Sequence, residues 1–162
     1  MDSSKSIVKR YSQLVSECPE LAAFGNRALE EGVAFLATIR PDGSPRLHPV
    51  TPLITDGGLF VYMEPTSPKV SDLRRDPRYA LHSDVADSNG GAGEFAVRGS
   101  AREIVNSQIR KSVFECALND GRNPKERYIV FEFDLSEVLL TVYEDDQPKR
   151  TRWKAVPTAG GR

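Results

Sequence analysis

A chain of 162 residues with a net charge of -1, 39% hydrophobic and 28% charged residues, has the balance of one globular domain and is too short for two of full size. The one local basic excess is Lys69, Arg74, Arg75 and Arg78, which argues against nucleic acid as a partner, because backbone binding shows as a strongly basic stripe. No apolar run approaches the roughly 18 residues of a membrane span, and the polar start Met1-Asp2-Ser3-Ser4-Lys5-Ser6, followed by Lys9 and Arg10, reads as no signal peptide, so the expected location is the cytoplasm, away from membranes. Cys18 and Cys116 stand far apart and outside any C-x-x-C pattern; they read as free thiols.

In chain order, residues 1–15 form an N-terminal extension. Pro19 at a first helical turn, Leu21, Phe24 and Ala28 at helical spacing, and Gly32 as a stop predict a helix over 19–31. Val33 to Arg40 is apolar and β-prone, and Pro41-Asp42-Gly43 is a turn, so a return strand runs from Pro45 to Ile54. Thr55-Asp56-Gly57-Gly58 turns the chain again into Leu59–Met63. These strands are joined too tightly for crossovers and are expected to form an antiparallel meander.

Ser67 to Arg74 reads as a short helix ended by Asp76-Pro77, and Tyr79–Val85 as a fourth strand. Residues 86–93 are small and polar and are expected to be a mobile loop. Glu94–Ile104 predicts a strand, Asn106–Leu118 a helix presenting Ile109, Val113 and Phe114, and Asn119–Glu126 a polar connection. Tyr128–Leu135 and Val138–Tyr143 supply the last long strands. Short strands, tight turns and inserted helices predict a mainly β chain, an antiparallel barrel of Greek-key type with accessory helices.

Two segments carry chemistry. Pro45, Pro49 and Pro52 remove ladder donors from one extended stretch, which marks either a protected edge strand or backbone left free to face a ligand. Thr66-Ser67-Pro68-Lys69 sets a capping residue, a proline and a cation at a helix start, where unsatisfied N–H groups and the dipole favour an anion. His48 and His82 are the only histidines, too few for a histidine-rich metal centre, so no metal is expected. Neither a nucleophile motif nor a dinucleotide fingerprint is present, Gly90-Gly91-Ala92-Gly93 lacking the required context.

Ala34-Phe35-Leu36-Ala37-Thr38, Asp42-Gly43-Ser44-Pro45-Arg46, Gly58-Leu59-Phe60-Val61-Tyr62, Ser67-Pro68-Lys69 and Leu73-Arg74-Arg75-Asp76-Pro77-Arg78 together resemble the FMN-binding split barrels related to pyridoxamine 5'-phosphate oxidase. Gly99-Ser100-Ala101 with Glu103 is similar to the family's next strand, and Arg152-Trp153-Lys154 to its C-terminal segment at the cofactor edge. The resemblance implies one domain over 1–162 and an FMN-dependent oxidoreductase. It also implies a homodimer with cofactor at the interface and a small-molecule electron donor or acceptor. It assigns the phosphate to Arg46 and Lys69 with Ser67, and the flavin ring to the backbone of Leu47, His48, Pro49 and Val50 with Tyr62 and Met63, and it counts Thr51 and Thr66 among the cofactor-binding residues. Trp153 would come from the partner's segment 147–162.

Where the oxidases carry two further basic residues this chain has Thr51 and Pro68, and after Trp153 it offers Lys154 and Arg162 but no histidine. The resemblance therefore implies an activity other than vitamin B6 oxidation. Split barrels also bind the deazaflavin F420 and haem, which leaves two alternatives: an F420-dependent reductase, or a non-enzymatic flavin- or haem-binding carrier or redox sensor, with His48 or His82 as the candidate iron ligand.

Overall fold

The computed structural model describes residues 7–157, which form four helices and eight strands. The ends of the chain, residues 1–6 and 158–162 with Arg162, lie outside the described residues. α1 (Tyr11–Glu17) and α2 (Pro19–Glu30) meet at Cys18, with Pro19 at the first helical position of α2 where its missing N–H is harmless. The expected helix over 19–31 is α2. Helix α1 was not anticipated. Among the described residues, no helix is long and apolar enough to cross a membrane.

β1 (Ala34–Ile39) and β2 (Pro45–Val50) form the expected hairpin, its turn held by the Asp42 carboxylate accepting from Ser44 N–H at 2.9 Å. The stretch Pro45–Ile54 is then two strands, not one. β2 pairs with β1 alone, whereas β3 (Leu53–Thr55) pairs with β4 (Gly58–Met63), and Thr51 and Pro52 belong to neither. The expected meander is corrected with it: β4 takes β7, not β2, as its long-range partner. Pro49 and Pro52 have no N–H to donate, so the chain leaves the ladder here and cannot run beside β4 as a regular strand.

α3 (Pro68–Arg75) leads to β5 (Arg78–His82), which stops three residues before its expected end. β6 (Glu94–Glu103), α4 (Ser107–Asn119), β7 (Ile129–Glu144) and β8 (Gln147–Lys154) complete the order. The two strands expected over 128–143 are the single β7, with a register shift opposite Arg98 and Gly99. Glycine is required there, since a Cβ on Gly99 would lie 1.9 Å from the Asp134 carbonyl oxygen. β8 is a second unanticipated element. It returns along β7 through Asp145 and Asp146, both at positive φ (50° and 59°), the handedness a two-residue hairpin needs.

The hydrogen-bonded order is β2-β1-β5-β6-β7-β4-β3, with β8 on β7. β2 and β3 are consecutive in the chain yet stand at opposite ends of that path, so the sheet curls into a barrel that Thr51 and Pro52 close. Inside lie Phe95, Phe131 and Phe133, wholly buried and worth about 1.5–3 kcal/mol each in apolar transfer. Tyr11, Leu14 and Leu21 of the first two helices and Val70 and Leu73 of α3 join the same core. A smaller cluster, Leu53, Phe60, Ile104, Val113, Ala117 and Val130, lies beneath α4.

Candidate functional site

The barrel is split where β2 and the end of β4 separate. Val61, Tyr62 and Met63 pair with β7 on one side, but β3 ends its pairing at Phe60, and the far edge of β2 pairs with no other described residue. A cleft of about 280 Å³ occupies this gap. Pro49, Val50 and Thr51 form one lip, and Val61 to Glu64 the other. Val33, Lys69 and Tyr128 complete it. Both lips therefore offer unpaired strand backbone, which is suited to the polar edge of a flat ligand.

Lys69 brings charge to this cleft from the first turn of α3. Its ammonium donates to Ser67 Oγ at 3.0 Å, no carboxylate among the described residues pairs with it, and burial pulls its pKa below the ordinary lysine value. Ser67 occupies the N-cap position as expected, but its side chain makes no cap bond to the helix. An intermediate-exposure cation without a counter-ion costs free energy that an anionic ligand would offset.

Arg46 has the opposite surroundings. Its Nε donates to Asp72 Oδ2 at 2.6 Å, and the same carboxylate oxygen accepts from the Thr38 hydroxyl at 2.9 Å. Arg75 reaches Asp72 Oδ1 at 3.3 Å and also donates to the Ile39 carbonyl. Asp72 is buried, which pushes its carboxyl up; the bonds from Arg46 and Thr38 outweigh that and hold it below the usual range. His48 lies on the same face of β2, two residues on. Burial, then the charges of Lys69 and Arg46, lower its pKa, and its Nε2 is buried without a partner.

Of the residues expected to hold a cofactor, Pro49, Val50, Thr51, Tyr62, Met63 and Lys69 line the cleft together. Arg46 and His48 do not line it, Ser67 is tied to Lys69, and Thr66 is exposed. Leu47 points the other way, 65% exposed on the outer face. Trp153 is not among the cleft residues: it is buried in its own chain's core, and its Nε1 donates to Glu17 at 2.7 Å. Its neighbours Arg152 and Lys154 face outward instead.

Sequence reasoning missed Val33, Glu64 and Tyr128 in the cleft and Asp72 behind it. Tyr128 stacks on Tyr62 with ring centroids 5.9 Å apart, and Arg127 grips Glu64 at 2.7 and 2.9 Å. The signal available was weak: Arg127-Tyr128 simply opens a predicted strand.

A larger groove, about 770 Å³, runs over the outer face of β2, β1, β5, β6 and β7. Phe35, Leu47 and Leu139 make it apolar, His82 lies in it, and Arg98 and Arg152 share Glu137 at its rim. The His82 Nδ1 is 2.7 Å from the Ser83 carbonyl oxygen. Among the described residues no group of three or more His, Cys, Asp or Glu could hold a metal ion.

Solved structures repeat this barrel. A conserved hypothetical protein of Mycobacterium tuberculosis aligns with a TM-score of 0.64 at 17% identity, covering 99% of this chain and 98% of its own. A haem-binding protein of Mycobacterium smegmatis aligns at 0.59 with 19% identity (80% of this chain, 57% of that one). An F420 reductase aligns at 0.55 with 17% identity (70% and 94%). At such identities the likeness concerns the fold. No curated protein matches the chain. The pyridoxamine 5'-phosphate oxidase family is matched over residues 19–142, the span from α2 through most of β7 that builds the split barrel and both lips of its cleft, and the chain belongs to that family.

Proposed function

We propose that the cleft binds FMN and that the protein is an FMN-dependent oxidoreductase acting on a substrate other than pyridoxamine phosphate. The observation that carries this reading is Lys69, a partly buried cation with a hydroxyl but no carboxylate for company, at one end of a slot between two unpaired strand edges. A phosphate would meet Lys69, Ser67 and Thr66, and the first N–H groups of α3 add favourable dipole. Arg46 has its Nε committed to Asp72, and its remaining guanidinium N–H groups are thereby oriented by a fixed carboxylate. Main chain at Pro49–Thr51 and Val61–Met63, with the Tyr62 ring, suits the edges and face of a flavin.

Bound FMN would supply two-electron redox chemistry, leaving the chain to position it, exclude water and set the local field. The absence of any histidine after His82 supports a substrate different from that of the family's namesake. At about 280 Å³ the cleft lies just under the roughly 300–1,000 Å³ of pockets that enclose a ligand. A second copy of the chain would supply the missing wall, making the functional unit a homodimer with cofactor at the interface, as the family resemblance implies. Trp153, buried in its own chain, would then serve by supporting β8.

The test is an absorption spectrum of freshly purified protein, followed by titration with NADH or NADPH. A flavin spectrum bleached by either donor is expected. A Soret band, or a colourless protein that takes up F420 and refuses FMN, would replace this reading with a haem or deazaflavin one.

A further inference from the structure

The connection between α4 and β7 touches both lips of the cleft. At one end Arg122 Nη1 donates to the carbonyl oxygens of Thr51 (3.1 Å) and Pro52 (2.9 Å), the two residues that close the barrel. At the other, Arg127 pairs with Glu64 and Tyr128 stacks on Tyr62. Between them the segment is anchored to α4: Arg110 donates to the carbonyls of Glu126 (3.2 Å) and Tyr128 (2.8 Å), and Arg122 N–H to that of Ala117 (2.9 Å).

These two attachments differ in kind. Thr51 and Pro52 lie in no strand, so their carbonyls have no ladder donor to satisfy them. Arg122 supplies what the ladder does not. The Arg127–Glu64 pair is exposed, 62% and 39% by side chain, and such pairs hold weakly. One lip is thus clamped and the other latched.

We infer that Arg122 is a positioning residue for the ligand ring, fixing the lip at Pro49–Thr51 so that residues 120–128 set the width of the cleft, with Arg127–Glu64 as the releasable end. This inference rests on the flavin reading of the same cleft, and it extends that reading to residues outside the phosphate corner. Arg122 acts through the backbone of Thr51 and Pro52 and does not line the cleft itself.

The experiment titrates wild-type protein, Arg122→Ala and Arg122→Lys with FMN and with riboflavin, following flavin fluorescence and the visible circular dichroism of the bound ring. Arg122→Ala should weaken both ligands by the same factor, about tenfold, and alter the dichroism; Arg122→Lys, which keeps a cationic donor, should recover most of both. Loss confined to FMN, an unaltered dichroism, or a lysine variant no better than alanine overturns the assignment. Should Arg122→Ala not fold, Arg127→Gln decides: FMN association and dissociation both rise several-fold with Kd within about twofold, and unchanged exchange rates refute the role of residues 120–128 in setting the cleft width. Wild-type protein that binds neither flavin overturns the reading on which this rests.

Discussion

Arg46 and Lys69 approach His48 from two different elements, and their surroundings are opposite. Arg46 is bound to a buried carboxylate that also collects Thr38 and Arg75; among the described residues Lys69 has only the Ser67 hydroxyl. One cation is part of the scaffold. The other is available to a ligand. Charge at the proposed phosphate corner is therefore not one quantity: a guanidinium with a buried counter-ion is expected to contribute mostly stability, and an ammonium left without one mostly affinity.

Asp72 and Lys69 should therefore respond in different assays. Asp72→Ala removes the counter-ion of Arg46 and should cost about 3–5 kcal/mol in urea denaturation, the usual penalty for breaking a buried pair from one side. A loss below about 1 kcal/mol would place Arg46 among the ligand-facing cations instead. Lys69→Ala should weaken FMN by roughly 1.5 to 3 kcal/mol at low salt, about ten- to a hundredfold, with folding stability unchanged or higher. A Kd that stays at the wild-type value removes Lys69 from the phosphate contacts.

The same contrast recurs between two carboxylates. Asp72 is held below the usual range, so the stability it contributes is present above its unfolded value near pH ~3.9 and is lost as pH falls through the lower folded value. Asp134 is pushed up, chiefly by burial, with Arg102 opposing and Glu132 adding to the effect; its Oδ1 has no partner. Its contribution is fully present below the unfolded value and lost as pH rises through the folded one. Asp134→Asn should accordingly raise the urea midpoint slightly at pH 7 and lose that advantage in acid. An equal midpoint at both pH values would mean that Asp134 ionises without cost.

Much of the fold could be read locally. Pro19 and Gly32 bracket α2, the Pro41-Asp42-Gly43 turn fixes the first hairpin, and Asn106 caps α4 by accepting from Gln108 and Ile109 N–H. α1 escaped notice because it is seven residues long, has no side-chain cap and buries only Tyr11 and Leu14. β8 escaped because seven of its eight residues are exposed, which leaves no period-two pattern; the Asp145-Asp146 turn was its one clue.

The site divides in the same way. Its two lips and its lysine lie on short contiguous segments with turn and cap chemistry of their own. What escaped are partners fixed by the closed barrel: Asp72 for Arg46, Tyr128 for Tyr62, and Arg122 for Thr51 and Pro52, the last about seventy residues away in the chain. Trp153 illustrates the limit. Arg152-Trp153-Lys154 was a recognisable triplet, but which of the three faces inward depends on the register of β8 against β7.

The closure at Thr51 and Pro52 has a mechanical consequence. Everywhere else neighbouring strands are stitched by rows of hydrogen bonds, whereas at this seam the two ends of the sheet are joined by the chain itself. A zip has been replaced by a hinge. Opening that hinge would unzip no ladder but would have to release the two carbonyl bonds from Arg122, so the width of the seam rests on one side chain where every other junction rests on a row of backbone pairs.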